Sequence, residues 1–303
     1  MEQTTTGADT LGALSNAMAD AVERAGAAVV QVNGRQRQSA SGVVFAPNLV
    51  LTADHVLERE DNLTVGTPDK RTLPAQFVGR DTSSDLAVLQ VADLNINPIT
   101  AGQNPARVGQ FILLVGRPST DGLMASLGIV SAVGGPVRTR RDRMLEQFIQ
   151  TDAIPYPGFS GGPMIDSSGA VLGLLTTGLA NGAALAIPTA IAWRNAQTLS
   201  QHGTIKRGYL GISSQPVQLP EGQRAGWPGE IGLMIVRVEP DSPAAKGGLL
   251  LGDILVGLDG QVLSDTDDLQ ALLSGDRVGK PVPIDVIRGG ARQTVQVTIG
   301  ERR

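Results

Sequence analysis

The chain has 303 residues, of which 41% are hydrophobic, so it is long enough to bury more than one core. A formal net charge of −4 and an aromatic content of 3% give no basic field and few stacking platforms, which argues against nucleic acid as a partner. Because there is no cysteine, disulfides and thiolate metal sites are excluded. We also expect no other metal and no cofactor.

The first predicted elements are one helix and a series of short strands. Leu11, Leu14, Met18 and Val22 recur at three- and four-residue intervals, the period of an amphipathic helix. From Ala28 onward, short apolar runs alternate with turns rich in Gly, Pro, Asn and Asp, and their even spacing favours two antiparallel barrels. The predicted strands are residues 29–32, 41–45, 49–52, 62–65, 86–91, 110–115, 128–133, 147–151, 170–177 and 183–187.

A change of composition near Lys206 predicts a second domain. A helix from Thr189 to about residue 201 ends at Gly203, a residue type that often follows a helix. The expected divisions are an N-terminal tail and short helix (1–27), a first domain (28–203), a linker (204–208) and a second domain (209–303).

The second domain is predicted to be a small α+β module, which makes the whole chain mostly β. After Tyr209 to Ile212 we expect a loop that contains Pro216, Pro220 and Pro228, and a helix that starts near Asp241 with Ser or Asp as its cap. The remaining predicted elements are strands at 232–238, 253–258, 282–288 and 291–299 and a helix at 267–274.

His55, Asp85 and Ser160 follow one of the chain orders known for a serine-protease triad. A serine hydroxyl is a poor nucleophile at neutral pH, so it needs an imidazole to take its proton and a carboxylate to orient that imidazole. Glycines around Ser160 allow a sharp turn that presents the N–H groups of Gly158 and Ser160 to a developing oxyanion. The only other histidine, His202, is interpreted as an exposed residue at a helix end.

Each of these features has an ordinary structural explanation when it is taken alone. A histidine near a strand end is usually a surface residue, an aspartate before a strand is usually a turn or cap, and a glycine-rich run can be a plain loop. The order and context of the three residues together favour the triad.

Several runs, in order, resemble the HtrA (Deg) family of trypsin-like serine proteases with a single C-terminal PDZ domain. The resemblance extends from about residue 12 to the end of the chain. The runs that carry it are 41–45, 51–56, 81–89, 149–153, 157–163 and 186–188 in the first domain, and 207–212, 242–244, 252–255 and 259–260 in the second.

The resemblance implies a double β-barrel endopeptidase that acts on unfolded or damaged proteins without ATP and often assembles as a trimer. It makes His55 the general base, Asp85 its orienting partner and Ser160 the nucleophile. Two residues depart from the family pattern: Phe159 stands where Asn is usual, and Asp54 stands where Ala or Asn is commoner. We hypothesise that Phe159 biases the oxyanion loop toward a resting form.

The resemblance also predicts a substrate pocket. The residue six before the nucleophile, Ile154, is expected at the base of the P1 pocket, with Thr176, Thr177 and Gly178 as its wall and Leu185 and Ala186 nearby. An apolar base cannot neutralise Lys or Arg, so we expect cleavage after small or medium aliphatic residues.

The PDZ resemblance predicts that an extended peptide end adds as a strand beside Ile212 to Ser214. The expected peptide-binding residues are Tyr209, Leu210, Gly211, Ile212, Leu269, Leu272 and Leu273. The three helical leucines are equally consistent with core packing, because helical period alone does not separate groove from core.

Two further expectations concern the regulation of the protein and an alternative function. The basic run 137–143 is either a solvated loop or the family's sensor loop, which relays PDZ occupancy to the active site. The leading alternative function is a non-catalytic PDZ scaffold or chaperone with a misassembled triad.

Met1 to Asp9 contain no export signal, which would be a basic stretch followed by an apolar one, and no apolar run is long enough to span a membrane. We therefore expect a cytoplasmic protein. The alternative is a periplasmic location if the N-terminus has been trimmed.

Overall fold

The structure, a computed structural model, describes residues 7–36, 38–138, 144–179, 184–205, 208–273 and 277–301. The chain divides into two compact units, Met1–Ile205 and Lys206–Arg303. The first unit contains two closed barrels and the second contains a sheet with two short helices. The prediction of a mostly β chain, with a double barrel followed by a small α+β domain, is confirmed.

The first barrel is preceded by helix α1 (Gly7–Gly26), whose last two turns bury Ala21, Ala25 and Gly26. Three strands of this barrel, 40–46, 49–53 and 86–90, are almost continuously buried, since their side chains fill the barrel on one side and pack against neighbouring elements on the other. In spatial order the strands are β1 (Val29–Asn33), β2 (Ala40–Ala46), β3 (Leu49–Ala53), β6 (Leu86–Gln90), β5 (Thr72–Asp81) and β4 (Leu63–Gly66).

Strand β5 was not predicted from the sequence. Its ten residues include Pro74 and Gly79, both of which lower strand propensity, and its burial does not alternate regularly. The register of β5 against β6 shifts between Phe77 and Gly79, so the irregularity seen in the sequence corresponds to a bulge.

The second barrel follows in the same unit. Its strands in spatial order are β11 (Phe148–Thr151), β14 (Ala184–Pro188), β13 (Val171–Thr176), β12 (Pro163–Ile165), β7 (Phe111–Ser119) and β8 (Gly122–Gly134). A small hairpin of β9 (Val137–Arg138) and β10 (Met144–Leu145) lies between β8 and β11 in the chain. Helix α2 (Thr189–His202) then ends at Gly203, which is left-handed as expected of a cap.

The buried residue Arg117 links the two barrels. Its Nε donates to the Val29 carbonyl at 2.7 Å, and its Nη2 donates to the Gly26 carbonyl at 3.1 Å. These bonds fasten β7 to β1 and to the end of α1. Burial lowers the pKa of the Arg117 guanidinium below its ordinary value.

The second unit has one main sheet and one short strand pair. The sheet order is β16 (Ile212–Gln218), β17 (Ile231–Val238), β18 (Ile254–Leu258), β20 (Pro281–Arg288) and β21 (Ala291–Thr298), with β19 (Gln261–Val262) on β18. The short pair is β15 (Gly208–Tyr209) with β22 (Gly300–Glu301), and the helices are α3 (Pro243–Gly247) and α4 (Thr266–Leu273). Ser242 caps α3 by accepting a hydrogen bond from the Ala245 amide.

The prediction of a loop around Pro216 was wrong, because Pro216 lies within β16. Strand β16 is an edge strand that pairs only with β17 in the described part of the chain. A proline lacks a backbone N–H, and an edge strand tolerates this because one of its sides has no neighbour. Within the described ranges, no helix is both long and apolar enough to cross a membrane.

Candidate active site

His55 and Asp85 are brought together by the register of two neighbouring strands. Ala53, the last residue of β3, pairs with Leu86, the first residue of β6. His55 follows β3 in a single 3₁₀ turn and Asp85 directly precedes β6, so both lie at the same end of the barrel. His55 Nδ1 is 2.6 Å from Asp85 Oδ2, and the His55 amide donates to Asp85 Oδ1 at 2.8 Å.

Asp85 is held in an uncommon backbone conformation by its own turn. Its φ is 55°, in the left-handed region that Asp tolerates better than most residues. The Asp81 carboxylate accepts from the amides of Ser83 and Ser84 at 3.2 and 3.3 Å, which closes the turn before Asp85. The Asp85 carbonyl accepts from the Asp54 amide at 3.0 Å. Asp85 is therefore buried and fixed at both its backbone and its side chain.

Thr176 and Gly178, predicted as a pocket wall, also contact the His55–Asp85 pair. The Thr176 hydroxyl donates to Asp85 Oδ2 and accepts from the Gly178 amide. A Cβ on Gly178 would lie 2.6 Å from His55 Nδ1 and 2.9 Å from Asp85 Oδ2, so no larger residue fits without displacing the pair. The bond between Thr176 and Asp85 could not be predicted from local sequence patterns, because it joins residues that are far apart in the chain.

Ser160 lies on a tight loop between β11 and β12. Gly158 and Gly161 have φ values of 90° and 86°, which favour glycine. A Cβ on Gly161 would lie 2.1 Å from the Ser41 carbonyl oxygen, so the loop is pressed against the first barrel. Among the hydrogen bonds of the described residues, none is donated by the amides of Gly158 or Ser160. The role of these two amides as donors to a developing oxyanion stays a prediction.

The Ser160 hydroxyl is bonded to Thr177 instead of His55. Ser160 Oγ lies 3.0 Å from Thr177 Oγ1, and the described part of the chain contains no hydrogen bond between Ser160 and His55. Thr177 lies between Thr176 and Gly178, so one three-residue segment contacts all of the predicted triad. In proteases without substrate, the bond from nucleophile to base is often long and tightens only when substrate binds.

Phe159 is buried in the core of the second barrel. Its ring packs edge-on against Tyr156, with 5.5 Å between the ring centroids. Gly116 on β7 leaves room for this ring, since a Cβ there would lie 2.5 Å from it. The side chain between the two candidate oxyanion donors is therefore anchored by apolar packing. Its bias toward a resting form stays a prediction.

Asp54, the other departure from the family pattern, is buried and ion-paired. Its Oδ1 lies 3.0 Å from Arg80 Nη1, and Arg80 Nη2 lies 2.9 Å from Glu60 Oε1. Arg80 also stacks on the ring of Phe77. The guanidinium of Arg80 therefore compensates the negative charge of the buried Asp54 carboxylate next to His55.

The other predicted P1 residues differ in their exposure to solvent. The Ile154 side chain is 59% exposed, and its carbonyl accepts from the Ser126 hydroxyl at 2.7 Å. Leu185, opposite Thr176 in the pairing of β13 with β14, is buried, as is its neighbour Ala186. The pocket itself stays a prediction. Within the described ranges, no group of three or more His, Asp or Glu side chains is arranged to hold a metal ion.

In the second unit, the predicted peptide-binding residues lie on β15, on the start of β16 and the turn before it, and on α4. Tyr209 belongs to β15, Gly211 is left-handed with φ 78°, and Ile212 begins edge strand β16. Leu210, Leu269 and Leu273 are buried in the core of this unit, whereas Leu272 is only partly buried. Leu272 is thus the helical leucine best placed to meet a ligand.

Most of the basic run 137–143, predicted as a sensor loop of the first unit, lies outside the described residues, which omit 139–143.

Comparisons with known proteins agree with this architecture. The family model of a trypsin-like peptidase domain matches residues 40–174, and that of a PDZ domain matches residues 208–299. The solved structure of the HtrA-type protease AlgW with tripeptide is 33% identical, covers 94% of this chain and 97% of its own, and has a TM-score of 0.78. The serine endoprotease from Yersinia pestis is 30% identical, with coverages of 94% and 98% and a TM-score of 0.76.

A curated relative from Halomonas elongata is named a probable periplasmic serine endoprotease DegP-like. It is 34% identical over 273 residues, which cover 88% of this chain and 57% of that protein. The chain thus spans a little over half the length of the curated relatives it matches.

The expectation of a cytoplasmic location was wrong. It rested on the lack of an export signal in Met1 to Asp9 and of a membrane-spanning apolar run, whereas relatives from several bacteria are named periplasmic.

Proposed function

Because the chain belongs to the HtrA family of trypsin-like serine proteases, with a peptidase domain followed by a PDZ domain, we propose that it is a serine endopeptidase. The observation that carries this proposal is the hydrogen-bonded pair of the partly buried His55 and the buried Asp85. The segment 176–178 contacts both this pair and Ser160. A charge-assisted bond of 2.6 Å fixes the orientation of the imidazole.

The proposed reaction is acyl transfer through Ser160. Once the Ser160 hydroxyl turns from Thr177 to His55, Nε2 takes its proton as Oγ attacks the scissile carbonyl. The amides of Gly158 and Ser160 stabilise the oxyanion, and Asp85 stabilises the imidazolium. His55 then gives the proton to the leaving amine, and water hydrolyses the acyl-enzyme by the same route in reverse.

We propose unfolded or misfolded polypeptides as substrates, cut after small or medium aliphatic residues. The exposed Ile154 supports an apolar P1 base, because it offers no charge to a basic side chain. A panel of peptides that differ only at P1 tests this: fastest cleavage after Val, Ala or Leu is expected, and preferred cleavage after Arg would reject it.

We propose that C-terminal peptides bind the PDZ domain and regulate proteolysis. The open edge of β16 supports this, as does the solved structure of the related protease AlgW with tripeptide. Peptide affinity should fall when the terminal carboxylate is amidated and when Leu272 is replaced by Lys. Unchanged affinity in both cases would remove this part of the proposal.

We also propose a periplasmic homotrimer. The names of the curated relatives support the compartment, and membership of the family supports the assembly. Sedimentation equilibrium of the purified protein measures the mass directly, and a monomer at micromolar concentration would contradict the assembly.

The test of the function is degradation of casein by the wild type and by Ser160→Ala. We expect wild-type degradation and a loss of about 10⁶-fold in the variant. Equal, negligible turnover would favour the alternative, a scaffold or chaperone with a misassembled triad. Reaction of Ser160 with a fluorophosphonate but little casein cleavage would indicate a protease tuned to one partner.

A further inference from the structure

Ser41 lies on β2 of the first barrel and is completely buried, yet it contacts the nucleophile loop of the second barrel. It has no place in the proposed reaction, since the base, its partner and both oxyanion donors are other residues. It is hydrogen-bonded to Gly158 and Ser160, the two residues whose amides are the proposed oxyanion donors.

Every polar group of Ser41 has a defined partner. The Ser41 hydroxyl donates to the Gly158 carbonyl at 2.7 Å and accepts from the Arg117 amide at 2.8 Å. Its amide donates to the Ser160 carbonyl at 3.0 Å, and its carbonyl accepts from the Thr52 hydroxyl at 2.7 Å. The Ser41 hydroxyl thus accepts one hydrogen bond, from the Arg117 amide, and donates its single proton to the Gly158 carbonyl.

The two carbonyls that Ser41 holds lie on either side of the Ser160 amide. A peptide group is planar, so fixing the Gly158 carbonyl fixes the plane of the Gly158–Phe159 peptide. Fixing the Ser160 carbonyl does the same for the Ser160–Gly161 peptide. The peptide between them carries the Ser160 N–H, and it cannot rotate freely while both neighbours are held.

The loop also has no room to shift away from this arrangement. The Ser41 carbonyl and the Thr52 hydroxyl would lie 2.1 and 2.4 Å from a Cβ on Gly161, so the backbone there is in close contact with Ser41. On the opposite side, the buried ring of Phe159 anchors the loop in the second barrel.

We infer that Ser41 is a positioning residue, whose hydroxyl and amide hold the nucleophile loop so that the N–H groups of Gly158 and Ser160 converge on the oxyanion. This inference rests on the proposed endopeptidase function. It predicts that the Ser41 hydroxyl matters for stabilising the transition state and little for binding the ground-state substrate.

The test compares Ser41→Ala with Ser39→Ala in the full chain. Ser39 has the same chemistry two residues away, but its hydroxyl bonds to Asn33 and Gln31. Reactive sites are counted by complete fluorophosphonate labelling, so that inactive protein does not lower the measured turnover per site. For Ser41→Ala we expect kcat per site to fall by about 10- to 100-fold, with KM changed by less than about twofold.

A peptide boronate provides a second readout, because it forms a tetrahedral adduct that resembles the transition state. Its affinity should fall in parallel with kcat in Ser41→Ala and stay at the wild-type value in Ser39→Ala. A purely structural role for Ser41 would lower the number of reactive sites or the melting temperature without this parallel loss.

Several results would overturn the inference: unchanged kcat per site in Ser41→Ala, a rise in KM alone, or an equal loss in Ser39→Ala. If Ser41→Ala does not fold, Ser41→Cys is measured, since a thiol is only a weak donor and the same loss of kcat is expected. An inactive wild type whose Ser160 does not react would overturn the proposed function and this inference together. An active wild type with equally active Ser41 variants would overturn the inference alone.

Discussion

The two barrels hold their candidate catalytic side chains in different ways. From the first barrel, His55 and Asp85 meet through bonds of 2.6 and 2.8 Å, and the Thr176 hydroxyl also donates to the same carboxylate. From the second barrel, Ser160 stands on a glycine-rich loop, and its hydroxyl bonds to Thr177 at 3.0 Å. The proposed base is thus held by the pair of bonds to Asp85, whereas the proposed nucleophile is bonded to a competing partner, Thr177.

This difference indicates that the Ser160 hydroxyl, and not His55, must move before the three proposed catalytic residues are hydrogen-bonded to one another. The orientation of His55 is built by strand register and a buried carboxylate, and it needs no substrate. The Ser160 hydroxyl must change its hydrogen-bond partner, a rotation about one side-chain bond. Variants of the first-barrel pair should therefore have large effects on catalysis, and variants of the Thr177 contact should have small ones.

The largest effect is expected for Asp85→Asn. An amide cannot stabilise the imidazolium and favours the wrong tautomer of His55, so kcat should fall by about 10⁴-fold. Peptide hydrolysis measures this, with the exposed Asp121→Asn as the control. A loss of less than about tenfold would show that the first-barrel pair is not the base system.

Phe159→Ala should have the next largest effect, on stability. Removing a completely buried ring leaves a cavity in the second barrel and should cost about 3–5 kcal/mol of unfolding free energy. Urea denaturation measures the loss, followed through Trp193 fluorescence in chains in which Trp227 of the second unit is replaced by Phe. Phe111→Ala, whose ring is 53% exposed, should lose far less, and equal losses would contradict the anchoring role of Phe159.

Gly178→Ala tests how closely the first-barrel pair is packed. The new Cβ would lie 2.6 Å from His55 Nδ1 and should displace the ring, lowering kcat by about 10²-fold. Gly122→Ala is the matched control, because a Cβ there meets no atom within 4 Å. A wild-type kcat in Gly178→Ala would show that the His55 ring can move away from residue 178 without loss of activity.

Thr177→Val should have the smallest effect and the opposite sign. Without its competing partner, the Ser160 hydroxyl is free to bond to His55, so fluorophosphonate labelling should speed up by about two- to tenfold. Thr176→Val, which removes the bond to Asp85, should slow the same reaction. If both variants slow it, Thr177 assists the nucleophile instead of competing for it.

Much of the first unit could be predicted from sequence, because its strands carry strong local patterns. Strands β5 and β16 were missed where Pro74, Gly79 and Pro216 interrupt those patterns. A bulge in one case and an edge position in the other accommodate these residues, and both are tertiary properties.

The candidate site was only partly predictable for a related reason. Asp85 and Ser160 are recognisable because their neighbours form short motifs in the right order. The contacts of Ser41 with the nucleophile loop and of Thr176 with Asp85 join residues far apart in sequence, and a single serine or threonine gives no local signal. The burial of Phe159 likewise depends on Gly116, in another strand.

The most direct measurement is intact-mass analysis of the protein after reaction with a fluorophosphonate, for the wild type, Ser160→Ala and Asp85→Asn. We expect one adduct, on Ser160, in the wild type and none in Ser160→Ala. The rate in Asp85→Asn should be lower by at least about 10²-fold, since the same base activates the same hydroxyl. No adduct in the wild type, an adduct at another residue, or an undiminished rate in Asp85→Asn would contradict a Ser160 nucleophile activated by His55 and Asp85.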